Sequence, residues 1–154
     1  MEYQEKASIA VIAMASMAVA FAAFAYQASS IDPSHHINPD ELAKLLQSAN
    51  AKPLLIHVGF HVLYVQGHIP GSEYIGPASD PGALQRLRKR VESLPRNSFI
   101  VLYCGCCPWN HCPNLKPADD ALHAMGFTNV RVLYLPNNIA TDWRDKGYPM
   151  VKGE

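Results

Sequence analysis

Every cysteine of the chain lies within nine positions, at Cys104, Cys106, Cys107 and Cys112. They sit in the run Cys104-Gly105-Cys106-Cys107-Pro108-Trp109-Asn110-His111-Cys112-Pro113-Asn114. Three chemistries fit thiols so placed. A thiolate at Cys104 can act as a nucleophile, because backbone amides of a loop that runs into a helix form an anion nest and lower a thiol's pKa. Cys104 and Cys107 form C-x-x-C, a spacing that supports a reversible disulfide. Adjacent Cys106 and Cys107 would form a strained bond, so 104–107 and 107–112 are the preferred pairs, with Cys107 or Cys112 as resolving thiol. The spacing C-x2-C-x4-C over Cys104, Cys107 and Cys112, with His111 beside them, fits a soft metal ion. Haem attachment is excluded because Pro108, not histidine, follows Cys107.

The elements around this loop must place it. Residues 98–103, SFIVLY, are β-branched and aromatic and read as a buried strand. The loop therefore leaves the carboxyl end of a strand, where open α/β sheets bind their ligands. Residues 53–58 (PLLIHV) and 129–135 (NVRVLYL) read as further strands, and Tyr74-Ile75 as a short one after the Pro70-Gly71 turn. Helical periods run over 39–48, with Leu42, Leu45 and Leu46 on one face, and over 81–94, with Leu84, Leu87, Val91 and Leu94 in one stripe. A third helix spans 117–125, with Asp119 and Asp120 in its first turn and Gly126 as its cap. The alternation predicts an α/β fold, a mostly parallel sheet with helices on both faces.

Charge excludes one class of partner. The chain carries 13 basic and 13 acidic residues and no net charge, so nucleic acid is not its ligand. Arg86, Arg88, Lys89 and Arg90 read as the solvated face of the second helix. The charged fraction, 17%, is low for a soluble domain, and one segment accounts for part of that. Residues 7–26, ASIAVIAMASMAVAFAAFAY, contain no charge. As a helix they would span about 30 Å, the hydrocarbon thickness of a bilayer. A single-pass anchor is the reading their length favours. A cleaved signal is the alternative, since Ala23-Phe24-Ala25 has the small-x-small form of a cleavage site. Either way the remaining domain is placed outside the cytoplasm, on the periplasmic side. Residues 1–30 are thus the hydrophobic helix and 31–37 a polar linker. His35 and His36 fall in that linker without another ligand nearby, and read as solvated.

Residues 38–154 resemble a known family. Gly67-His68-Ile69-Pro70-Gly71-Ser72, Tyr103-Cys104, Ala124-Met125-Gly126-Phe127, Trp143 and Gly147-Tyr148-Pro149 together look like a rhodanese-like domain. The resemblance implies an open parallel five-stranded sheet with helices on both faces. It implies sulfurtransferase chemistry, with Cys104 carrying sulfur as a persulfide and 105–112 as the active-site loop. The implied partners are a small sulfur donor or a protein thiol or persulfide, and no metal or dissociable cofactor is required. Many members carry Asp-Val-Arg where this chain has His57-Val58-Gly59, and Arg or Lys in the loop where this one has none. Without a guanidinium a dianionic donor such as thiosulfate loses its bidentate clamp. Two further readings stay open: a non-catalytic rhodanese-like accessory subunit of a membrane protein complex, and soft-metal binding by the cysteine loop.

Overall fold

The strand that leads into the cysteine loop is buried along its whole length. β4 (Ile100–Tyr103) has four residues without solvent exposure, as a strand covered on both faces must. The computed structural model describes residues 31–48 and 52–154, and Ile31–Glu154 form one compact unit. β4 lies at the centre of a five-stranded parallel sheet. Its neighbours are β2 (Leu54–His57) and β5 (Val130–Leu133), with β3 (Glu73–Tyr74) and β1 (His36–Ile37) at the edges, in the order β1-β5-β4-β2-β3. The expected α/β class and parallel five-stranded sheet are therefore observed.

The two-residue period of β4 sorts its side chains between two cores. Ile100, Leu102 and Cys104 point to one face, packed with Leu87 and Val91 of α3 (Pro81–Val91) and Leu115, Ala118 and Leu122 of α4 (Leu115–Ala124). Val101 and Tyr103 point to the other, with Leu42 of α1 (Pro39–Gln47), Leu133 and Trp143. The face of Cys104 is thus the face of the helix that follows its own loop.

Four differences from the sequence reading have physical causes. The segment 31–37, expected to be a flexible linker, belongs to the domain. Asp32 caps a 3-10 turn (Pro33–His35) by accepting the Ser34 N–H, and His36 and Ile37 pair with Val132 and Leu133. A two-residue edge strand is too short to show alternation. α2 (His61–Gln66) was not expected, because its one and a half turns bury only Tyr64. α4 begins two residues before Pro117, since a proline within the first turn removes no intrahelical hydrogen bond. Asp119, placed on a helix end by sequence, is buried. Among the described residues no helix is long and apolar enough to cross a membrane, and residues 7–26 lie outside them.

The Gly67-His68-Ile69-Pro70-Gly71-Ser72 turn is fastened to the end of β4. The Ile69 N–H donates to the Tyr103 hydroxyl at 3.2 Å, and Ser72 Oγ lies 2.6 Å from the same oxygen. The Tyr64 hydroxyl donates to the Ser72 carbonyl at 2.7 Å. His68 Nδ1 meets the Tyr64 carbonyl at 2.9 Å, and the His68 backbone pairs with Val151. Gly71 takes a φ of +78°, which favours glycine. Tyr103→Phe should therefore leave a buried N–H and a buried hydroxyl without their shared partner. The expected loss is about 1–3 kcal/mol of unfolding free energy, read from a urea midpoint at unchanged slope.

Candidate functional site

Cys104 continues β4 by one residue and is 2% exposed, beneath the loop it begins. The chain then turns at Gly105, whose φ is +85°. A side chain there would also strike Ile139 at 2.8 Å, and the Gly105 carbonyl accepts the Ile139 N–H at 3.2 Å. The loop closes through a second 3-10 turn (Trp109–His111), helped by Trp109, which packs edge-on against His36 and Tyr134. Trp109 therefore ties the loop to the β1–β5 side of the domain. Asn114, at the mouth of α4, is fully buried and spans two segments. Its Oδ1 accepts the Ser79 N–H at 3.0 Å and its Nδ2 donates to Cys104 Sγ at 3.5 Å.

The sulfur of Cys104 is surrounded by hydrogen-bond donors and, among the described residues, has no cationic partner. Cys106 Sγ lies 3.2 Å away, and the sulfurs of Cys104, Cys106 and Cys112 are all within 4.8 Å of one another. These contacts hold the Cys104 thiol well below its ordinary range. The Cys106 thiol contributes most, followed by Cys112, with Asn114 and the Cys106 backbone N–H adding to them against the opposing effect of burial. The partners move the other way. Cys106 and Cys112 are pushed up, first by the hydrogen bonds they give Cys104. Cys107 is pushed up by burial. One thiolate and two proton-bearing neighbours is the arrangement of a nucleophile with its acids.

Beneath the sulfur lies Gly59. A Cβ at that position would come within 2.9 Å of Cys104 Sγ and 3.3 Å of its carbonyl oxygen. The thiol thus occupies space that any side chain at position 59 would need. Next to it, His57 is 2% exposed and accepts the Gly59 N–H on Nδ1 at 3.3 Å. Burial holds its pKa down at about 4, so the ring is neutral at pH 7, and its remaining N–H is within reach of the Cys104 carbonyl. His57 is a core histidine that positions the end of β4.

The sequence-derived residues divide into three groups. Cys104, Cys106 and Cys112 come together. Cys107 instead touches Cys106 at 3.2 Å, so the expected 104–107 neighbours are not the pair the fold makes. Asn110 and His111 are exposed and bonded to each other at 2.8 Å, and the expected metal set of Cys104, Cys107, Cys112 and His111 is replaced by three sulfurs without Cys107 or His111. Gly67, His68, Pro70 and Gly71 hold the strand end through Tyr103. Gly59 and Asn114 were missed. A signal existed for Gly59, which lies two residues past the end of β2 where the family pattern carries a long side chain.

Comparison with known proteins agrees with this geometry. The family model described as a rhodanese-like domain matches residues 38–134. The chain belongs to the rhodanese-like domain family. Solved structures with the same fold include the BH2092 protein of Bacillus halodurans, at TM-score 0.59 and 18% identity over 86% of this chain and 84% of that one. The rhodanese-like domain of the Anabaena sp. Alr3790 protein aligns at TM-score 0.55 and 20% identity, over 79% and 80% of the two chains. A single-domain sulfurtransferase of Saccharomyces cerevisiae, RDL2, aligns at TM-score 0.54 and 22% identity, over 77% and 94%. No functionally curated protein sequence matches the chain.

The donors around Cys104 set its titration. Its alkylation rate, resolved by peptide mass spectrometry, should fall as pH falls through a midpoint well below the roughly 8.5 of a free thiol. Asn114→Ala removes one hydrogen bond to a charged sulfur, worth about 1.5–3 kcal/mol, and should raise that midpoint by about one to two units. The linkage has a defined sign. A depressed folded pKa contributes stability that is complete above about pH 8.5 and is lost as pH falls toward the folded value. Asn114→Ala should narrow that pH window from below, so that less stability in total is lost on acidification.

Proposed function

We propose that the chain is a sulfurtransferase that carries sulfane sulfur as a persulfide on Cys104. The observation that carries this reading is the buried Cys104 sulfur at the carboxyl end of the central strand, bonded by Cys106 and Asn114 and kept ionised. Its thiolate attacks the sulfane sulfur of a donor persulfide. The donor's S–S bond breaks, the donor thiolate leaves and takes up a proton, and a Cys104 persulfide forms. The N–H and S–H groups that face the thiolate then face the persulfide. An acceptor thiolate attacks the outer sulfur, a new S–S bond forms on the acceptor, and Cys104 leaves as the thiolate. These steps need no metal or dissociable cofactor.

A neighbouring thiol opens a second exit. Cys106, 3.2 Å from Cys104, can attack the inner sulfur, forming a Cys104–Cys106 disulfide and expelling hydrosulfide. Cys112 is the other thiol in reach. An external thiol then reduces the disulfide. The absence of a guanidinium from residues 105–114 argues for a persulfide donor over thiosulfate. Phe60 and Val62, 50% and 59% exposed just beyond Gly59, favour a donor or acceptor borne by a protein. The uncharged run 7–26 supports attachment to a membrane, with the domain on its periplasmic side and a membrane protein complex as its setting.

One observation favours a second reading. Three sulfurs within 4.8 Å of one another suit a thiophilic ion in trigonal coordination, which would block Cys104.

Sulfur transfer from a low-molecular-weight persulfide to cyanide tests the proposal. Cys104→Ser should lose persulfide formation and turnover while keeping the fold. Cys106→Ser should still form the persulfide but release less hydrosulfide than the wild type. Thiosulfate should be the poorer donor. Full transfer by Cys104→Ser contradicts the proposal, and a tightly held metal ion that abolishes transfer until it is stripped supports the second reading.

A further inference from the structure

A second cluster of ligand-type side chains is built on α4, away from the four cysteines. Asp119 and His123 are one helical turn apart, so their side chains share a face. The 3-10 turn Pro33–His35 brings His35 to that face. His35 Nδ1 lies 3.1 Å from Asp119 Oδ2, and His123 Nδ1 lies 3.3 Å from Asp119 Oδ1. The two imidazoles stack at 4.3 Å between ring centroids. One ligating atom from each of the three residues falls within 4.8 Å of the others.

Two features separate this cluster from an ordinary ion pair. The Asp119 side chain is only 5% exposed, and its buried Oδ1 receives no aligned hydrogen bond, because His123 Nδ1, 3.3 Å away, is turned to the Asp119 backbone carbonyl. An orphaned carboxylate oxygen inside a domain is costly unless something positive meets it. The His123 Nδ1 also faces the Asp119 backbone carbonyl at 2.9 Å. An ion held between the carboxylate and the two Nδ1 atoms would take the place of the proton on that nitrogen. Both histidines keep about a third of their side chains open to solvent, 27% for His35 and 32% for His123, so an ion has a way in and an open coordination position.

We propose that His35, Asp119 and His123 form a binding site for a divalent transition-metal ion of the zinc type. Two imidazoles and one carboxylate are borderline donors. They suit zinc and its neighbours rather than magnesium or calcium, which need an oxygen shell, or copper(I), which prefers thiolates. The bound ion neutralises the buried carboxylate and fastens residues 33–35 to α4. It is structural and independent of the persulfide chemistry. Because His36 packs on Trp109, the same fastening steadies the outer side of the cysteine loop.

Cobalt(II) is the probe, added to the full-length chain after chelator treatment and thiol reduction. The cysteine loop is silenced in a Cys106→Ser, Cys112→Ser variant, so that binding by sulfur is seen separately. The expected result is one equivalent of cobalt with a visible ligand-field band and no thiolate charge-transfer band, retained in the cysteine variant and displaced by zinc. His123→Gln changes a partly exposed residue and should leave the apo fold intact, confirmed by circular dichroism. It should weaken binding by at least about tenfold. Asp119→Asn should do the same, and zinc should raise the melting temperature of wild type but of neither variant. The proposal is overturned if cobalt does not bind, if its only spectrum is that of a thiolate site lost with the cysteines, or if folded His123→Gln binds as tightly as wild type.

Discussion

A charged sulfur buried at the end of the central strand is the constraint around which the rest of the domain is arranged. Burial opposes the thiolate, and among the described residues no arginine or lysine stands against it to compensate. The compensation comes from neutral donors aimed at one atom: the Cys106 and Cys112 thiols, the Asn114 amide and a backbone N–H. Hydrogen bonds to an ionised group inside a protein are worth more than those between neutral partners, so a few suffice. They work only if the sulfur is held still. That is the task of β4, of the Tyr103 hydroxyl fastened to Ile69 and Ser72, and of the empty Cα at Gly59 that leaves the sulfur its place.

A cradle of neutral donors has a chemical consequence. A guanidinium would attract any dianion, whereas thiols and an amide reward a ligand that already carries its negative charge on sulfur, as a persulfide does. The donors are also reagents. In the proposed reaction a proton on Cys106 stabilises the Cys104 thiolate in one step, and once that proton is gone the same sulfur can attack the persulfide. On that proposal the site combines holding and release within a few ångströms, and the ionisation of one thiol decides between them.

How much of this could be read from residues alone depends on how local each feature is. The strands at 100–103 and 130–133 announce themselves because they are long enough to show continuous apolar runs. The place of Cys104 at the strand end follows from the same run, because fold and position suffice to set it. β1 and α2 are invisible because two residues, or a turn and a half, carry no period. Asp119 sits in a helix turn where an acidic residue is ordinary, and only the folding back of His35 shows it to be buried. The choice of Cys106 over Cys107 as the neighbour of Cys104 depends on the turn at Gly105, where a positive φ redirects the chain by more than any spacing rule can carry. Asn114 and Gly59 act through space on one sulfur from segments far apart in sequence. Contacts of that kind are decided by topology and lie beyond pattern.

The proposed chemistry depends on which sulfur holds the charge. Site-resolved mass spectrometry of the native full-length chain, after one equivalent of a sulfane sulfur donor and rapid alkylation, measures that directly. The account predicts one added sulfur on Cys104, converting with time to a Cys104–Cys106 disulfide. Added sulfur found first on Cys107 or Cys112, with Cys104 left as an unreactive thiol, would contradict it.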